Sequence, residues 1–216
     1  MLKQSLESIV SDVRVCIDEN TSNESEFLFG SDDKELDTII KSKVEDAIRY
    51  ALRNANLSFL EPTITNPQLT IERDFVRFAR CVLSDDFLRF VSVKSEGWAH
   101  HVSEPILSTD RAYATLKNPI TTGYLDNPKA AIMLDREKMS LELYGMPQDK
   151  EDSQTVDVTL SYISDVKREG KDTNVYYDIP NKVYRGVIYY TAGATLQAFK
   201  DAHGDVLINQ ATQMIQ

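Results

Sequence analysis

The chain has 216 residues, 42% hydrophobic and 27% charged, enough to bury one good core or a core with a modest second lobe. Its 24 Lys and Arg against 34 Asp and Glu leave a net charge of −10, which repels a phosphate backbone and excludes a module that grips DNA. No apolar run reaches the length of a membrane span, and the N-terminal residues lack the apolar stretch and cleavage site of a signal peptide. The expectation is a protein that stays where it is made and has no membrane partner.

Leu2, Leu6, Ile9, Val10, Val13 and Ile17 predict a first helix with one apolar face. Residues 18–31 are polar and acidic and read as a loop, in which Phe27, Leu28 and Phe29 are expected to tuck against a helix or a neighbour. Ser31 or Asp32 can cap a second helix, with Asp33 and Glu35 suited to its positive end. That helix carries Leu36, Ile40, Val44, Ala47, Ile48, Ala51 and Leu52, and Asn54-Ala-Asn56 stops it. Cys16 and Cys81 supply neither a disulfide framework nor a metal spacing; Cys16 reads as a buried free thiol, which fits a reducing compartment.

All seven prolines fall between Pro62 and Pro180. Proline is excluded from helix interiors, so the middle of the chain is predicted to be strands and loops. Residues 76–83 fit either period and are assigned to a strand, joined through Ser84-Asp85-Asp86 to a strand at 88–94. Residues 131–135 and 139–144 flank a charged loop as a hairpin, and 156–163 alternate as a further strand. A long loop at 103–127 has the length of a binding or disordered segment, and Gly170 with Lys167, Arg168, Lys171 and Asp172 reads as a solvated turn. The last segment, 183–215, reads as helical, with Asn181 as cap after Pro180. Tyr184, Val187, Ile188, Thr191, Thr195, Leu196 and Phe199 mark its buried side, in its own fold or against a neighbouring subunit. Gly186, Ala192, Gly193, Ala194 and Ala198 are small enough for another helix to approach closely.

No phosphate-binding glycine loop, nucleophile elbow or zincin motif occurs. His100 and His101 stand near Glu96 and Glu104, but neighbours on a strand point to opposite faces, so no metal or catalytic residue is assigned. The pairs Asp32-Asp33, Asp85-Asp86 and Glu151-Asp152 read as caps or solvated faces. His203 has no evident partner. Ten tyrosines against eight phenylalanines favour an interface, since tyrosine joins a large apolar face to a hydroxyl that tolerates water. The candidate interface residues are Trp98, Tyr113, Tyr124, Tyr176, Tyr177, Tyr189 and Tyr190.

Residues 84–98, Tyr113, 118–129, and the segment from 180 through the helical turn 196–202 carry a resemblance. The chain is similar to the ring, or adaptor, proteins at the head-to-tail junction of short-tailed phages, most closely those of the crAss-like phages of gut Bacteroides. The resemblance implies a virion protein, assembled in the bacterial host cytoplasm. It implies a dodecameric ring under the portal protein that docks other ring or tail proteins, and a channel through which DNA passes without sequence-specific binding. It brings no reaction and no cofactor. The fold expected is α+β: residues 1–56 and 183–216 as a helical bundle and 57–182 as a β-rich insertion. Two rival expectations are a small metal-dependent hydrolase using His100 or His101, and an assembly chaperone or scaffold absent from the mature particle.

Overall fold

A computed structural model describes residues 2–21, 34–134, 138–171 and 174–216. The aromatic run 27–29, the expected caps Ser31 and Asp32, residues 135–137 of the expected hairpin and Asp172 lie outside the described residues. In chain order the elements are β1 (Leu2–Ser5), α1 (Leu6–Thr21), α2 (Lys34–Asn54), a 3₁₀ turn (Leu57–Phe59), β2 (Thr63–Thr65), β3 (Gln68–Arg73), β4 (Arg77–Val82) and β5 (Phe87–Ser95). There follow β6 (Ile106–Leu107), α3 (Arg111–Leu116), β7 (Lys129–Leu134), β8 (Met139–Tyr144), β9 (Thr155–Ser164), β10 (Arg168–Glu169), β11 (Tyr176–Ile179), α4 (Asn181–Ala198) and α5 (His203–Ile215). They form two compact units, Met1–Glu61 with Asp165–Gln216, and Pro62–Ser164.

The first unit combines four helices with a three-stranded antiparallel sheet in the order β1-β11-β10. Leu2, expected at the start of a helix, is in a strand paired with Ile179. The helix begins only after Ser5, whose hydroxyl oxygen accepts from Ser8 N–H at 3.1 Å as an N-cap does. Ile9, Val13 and Ile17 of α1, with Ile40, Val44 and Ile48 of α2, are fully buried or within 1% of it, as their spacing predicts. The apolar terminal segment is two helices and not one. Lys200 adopts a left-handed φ of 62°, which ends α4 and lets α5 fold back along it. The small residues of α4 serve this pairing: a Cβ on Gly193 would lie 2.6 Å from the Gly204 carbonyl oxygen, and one on Gly186 would lie 2.4 Å from Ile215 Cγ2. Phe199, expected on the buried side, sits at the end of α4 and is 38% exposed. Pro180, and not Asn181, holds the N-cap position, with no side-chain cap bond. Thr191 and Thr195 are fully buried because each hydroxyl donates to the carbonyl one turn back, both at 2.8 Å.

The second unit is an eight-stranded sheet in the order β2-β9-β3-β4-β8-β7-β6, with β5 also paired to β9. Strand β9 is its pivot, antiparallel to β2, β3 and β5. Val156, Val158, Leu160 and Tyr162 alternate into the larger core, where they meet Trp98, Val93, Leu141 and Leu143. On the opposite side of β4, β7 and β8, a smaller cluster of Val76, Phe78, Leu116, Ala131 and Tyr144 sits beneath α3.

These facts correct the expected helical bundle with a β-rich insertion. The chain is a mixed α/β protein, 39% helix and 31% strand among the described residues, with a curled eight-stranded sheet. The expected helical N-terminal end contains β1, which pairs with β11 (Tyr176–Ile179) from the expected insertion and so joins the two halves of the first unit. Short strands such as β1 carry no periodic signal of their own; they become strands by finding a partner far along the chain. Among the described residues no helix is long and apolar enough to cross a membrane.

Candidate functional site

The long loop at 103–127 is not structureless. It supplies the edge strand β6, parallel to β7, then α3, then a tight turn that returns to the sheet. Its anchor is Glu142, in the middle of β8. Alternation along that strand sends Leu141 and Leu143 into the larger core and turns Glu142 and Tyr144 toward α3. Glu142 is fully buried. Its Oε1 accepts from the Arg80 guanidinium at 2.8 Å; its Oε2 accepts from the phenols of Tyr144 at 2.6 Å and Tyr113 at 2.8 Å, with Lys117 Nζ at 3.5 Å.

Burial alone pushes the Glu142 carboxyl up, but the hydrogen bonds of Tyr144, Tyr113 and Arg80 and the charge of Lys117 outweigh it, so the group is held below the usual carboxylate range. Burial, and then the same carboxylate, push both tyrosines up. A carboxylate with both oxygens engaged by four donors is a poor proton acceptor. Its chemistry is that of a clamp, fixing α3 to the sheet.

Beyond the clamp, the loop displays apolar side chains. Ile120 is 80% exposed, Tyr124 is 51% exposed, and Phe75, in the turn between β3 and β4, is 77% exposed. Phe75 and Tyr124 line one groove of about 420 Å³ together with Arg73, Pro119 and Gln148. The platform under them is ordered by its own hydrogen bonds. Asn118 Oδ1 accepts from Ile120 N–H at 2.9 Å, and the Tyr124 phenol donates to the carbonyls of Pro119 and Ile120 at 3.1 and 3.2 Å. Lys129 Nζ donates to the Thr121 carbonyl at 2.7 Å. Gly145, at φ 94°, lets the loop press on the end of β8, since a Cβ there would stand 2.7 Å from the Tyr124 carbonyl oxygen. Arg77 closes the groove floor, donating to the Pro147 carbonyl at 3.1 Å and pairing with Asp152 at 2.9 Å.

The residues singled out from sequence divide sharply. Trp98 is 3% exposed and donates its indole N–H to the Gly145 carbonyl at 2.8 Å, so it packs in the core. Tyr113 is half-buried on Glu142, and Tyr124 stands at the displayed tip. In the first unit, Tyr177 is buried with its phenol on Glu45 at 3.0 Å, while its strand neighbour Tyr176 faces out under Lys3. Tyr190 stacks on Tyr50 at 4.3 Å, and Tyr189 lies beneath the Arg185 guanidinium. His100 and His101 are both exposed, and among the described residues no group of three or more His, Cys, Asp or Glu is placed to hold a metal.

Sequence reasoning passed over Phe75, Ile120, Lys117 and Glu142. The first two had a signal, large apolar residues inside turns rich in Asp, Pro, Thr and Gly. Glu142 had none, because a Glu alternating with leucines reads as the wet face of a strand. No protein-family model and no curated protein matches the chain.

Proposed function

We infer that this chain is a structural subunit that docks a protein neighbour through the Phe75–Ile120–Tyr124 platform. The observation that carries the reading is three large apolar side chains, between 51% and 80% exposed: Ile120 and Tyr124 on a hydrogen-bonded loop, and Phe75 on the β3–β4 turn that lines the groove with Tyr124. Solvated aromatic and aliphatic residues on a rigid support are the usual anchors of an interface. Combined with the sequence resemblance, the assembly proposed is a ring of copies beneath a phage portal. It extends the DNA channel at the head-to-tail junction and docks tail components. A net charge of −10 suits a wall past which a duplex slides without sticking.

Electron microscopy and native mass spectrometry of the purified chain, alone and with its portal, test this. The expected outcome is closed rings, or capture by the portal, abolished by Phe75→Asp with Ile120→Asp at unchanged thermal stability, since both side chains are more than three-quarters exposed. A chain that stays monomeric at every concentration and binds no portal refutes it. Mass spectrometry of purified virions separates a ring subunit, present in stoichiometric amount, from an assembly factor, which is absent.

A further inference from the structure

Lys117 has surroundings unlike those of a solvated lysine. Its ammonium lies 5.0 Å from the centroid of the Phe78 ring, 5.4 Å from that of Tyr113 and 5.8 Å from that of Tyr144, and 3.5 Å from Glu142 Oε2. Ammonium groups within about 6 Å of an aromatic centroid are attracted by its electron-rich face. Lys3 and Lys182, by contrast, each stand over a single ring. Three rings and a buried carboxylate around one nitrogen are the elements of an aromatic cage, the arrangement by which proteins recognise alkylammonium ligands.

We propose that Phe78, Tyr113, Tyr144 and Glu142 form a binding site for an alkylammonium cation, which the chain fills with its own Lys117. The charge balance explains why rings are needed. Arg80 already holds Glu142 Oε1 and itself lies 5.4 Å from the Phe78 centroid, so Lys117 shares the one buried carboxylate with a second cation, and the ring faces add the attraction that the shared charge does not supply. The site's place in the fold explains what filling it does. Lys117 is the residue directly after α3, and Asn118, the next, accepts at its carbonyl from Thr121 and Thr122 N–H and so organises the turn. An occupied cage therefore pins both α3 and the loop that bears Ile120 and Tyr124. The proposal is independent of whether the chain assembles.

The test is chemical rescue. Lys117→Ala empties the cage and is expected to lower the unfolding temperature by on the order of 5 °C, with faster amide exchange across Tyr113–Leu116. Methylammonium chloride should restore both, saturably, and should leave the wild-type chain unchanged. Sodium chloride at the same ionic strength should restore neither. Equal effects of the two salts overturn the proposal. So does a Lys117→Met chain as stable as wild type, which would show that the stem and not the charge fills the cage. Should Lys117→Ala not fold in plain buffer, refolding yields in the two salts replace the melts. Selective recovery in methylammonium then supports the cage, and equal recovery overturns it.

Discussion

Replacing Glu142 by Gln probes the clamp with almost no change of shape. The amide oxygen, set where Oε2 stands, still accepts from both phenols, but the NH2 then faces the Arg80 guanidinium, itself a donor, and the negative charge that Arg80 and Lys117 share is gone. Arg80 and Lys117 are 44% and 31% exposed at their side chains and regain water, whereas the amide N–H turned toward Arg80 stands at a fully buried position and cannot. The loss is therefore the charge-assisted hydrogen bond of Arg80 plus the cost of an unpaired buried donor, about 3 kcal/mol in all. With a urea m-value of about 2 kcal/mol/M, the midpoint falls by about 1.5 M. Trp98, the sole tryptophan, is buried in the larger core of the same unit, so its fluorescence reports this transition. A Glu142→Gln, Tyr113→Phe double-mutant cycle should add a coupling of about 1 kcal/mol. A cost below about 0.5 kcal/mol would show that the carboxylate is dispensable and refute the clamp. The pH dependence has a definite sign. Glu142 is depressed in the folded state, so its stabilisation is present above about pH 4.3 and fades as pH falls through the lower folded value. The Gln variant lacks that part of the acid sensitivity.

Gly193→Ala brings a methyl to 2.6 Å from the Gly204 carbonyl oxygen, and backbone cannot step aside cheaply; helix circular dichroism during unfolding should report a cost of about 2–3 kcal/mol. Thr191→Val is the contrasting case, expected below about 1 kcal/mol by the same measurement, because the lost hydroxyl bonded only a carbonyl within its own helix. Burial pushes the Cys16 thiol up to about 11, so labelling by a thiol reagent at neutral pH should follow unfolding; modification within seconds in native buffer contradicts its placement. Tyr177 is pushed up to about 12 by burial and by its bond to Glu45, so it stabilises the folded form below about pH 10 and that contribution is lost as pH rises toward 12. Tyr177→Phe should flatten the alkaline limb in a pH series of thermal melts.

What the sequence determined by itself was whatever repeats within a few residues. The apolar stripe of α2, the alternation of β9 and the hairpin of β7 and β8 are local patterns, and each is found where the pattern puts it. Proline placement located the strand-rich stretch for the same reason, since a missing N–H is a local fact. Tertiary structure alone decided the rest. β1 and β11 are strands because each completes the other's hydrogen bonds from distant parts of the chain. The terminal apolar segment became two helices because Gly193 and Gly204 allow their backbones to meet. Tyrosine chemistry is the same at every position, so only the fold separates buried Tyr177 from displayed Tyr124. Glu142 became a buried anchor because α3 covers that end of the sheet and brings Tyr113 and Lys117 to join Arg80 of β4 and Tyr144, a circumstance no window of sequence around β8 contains.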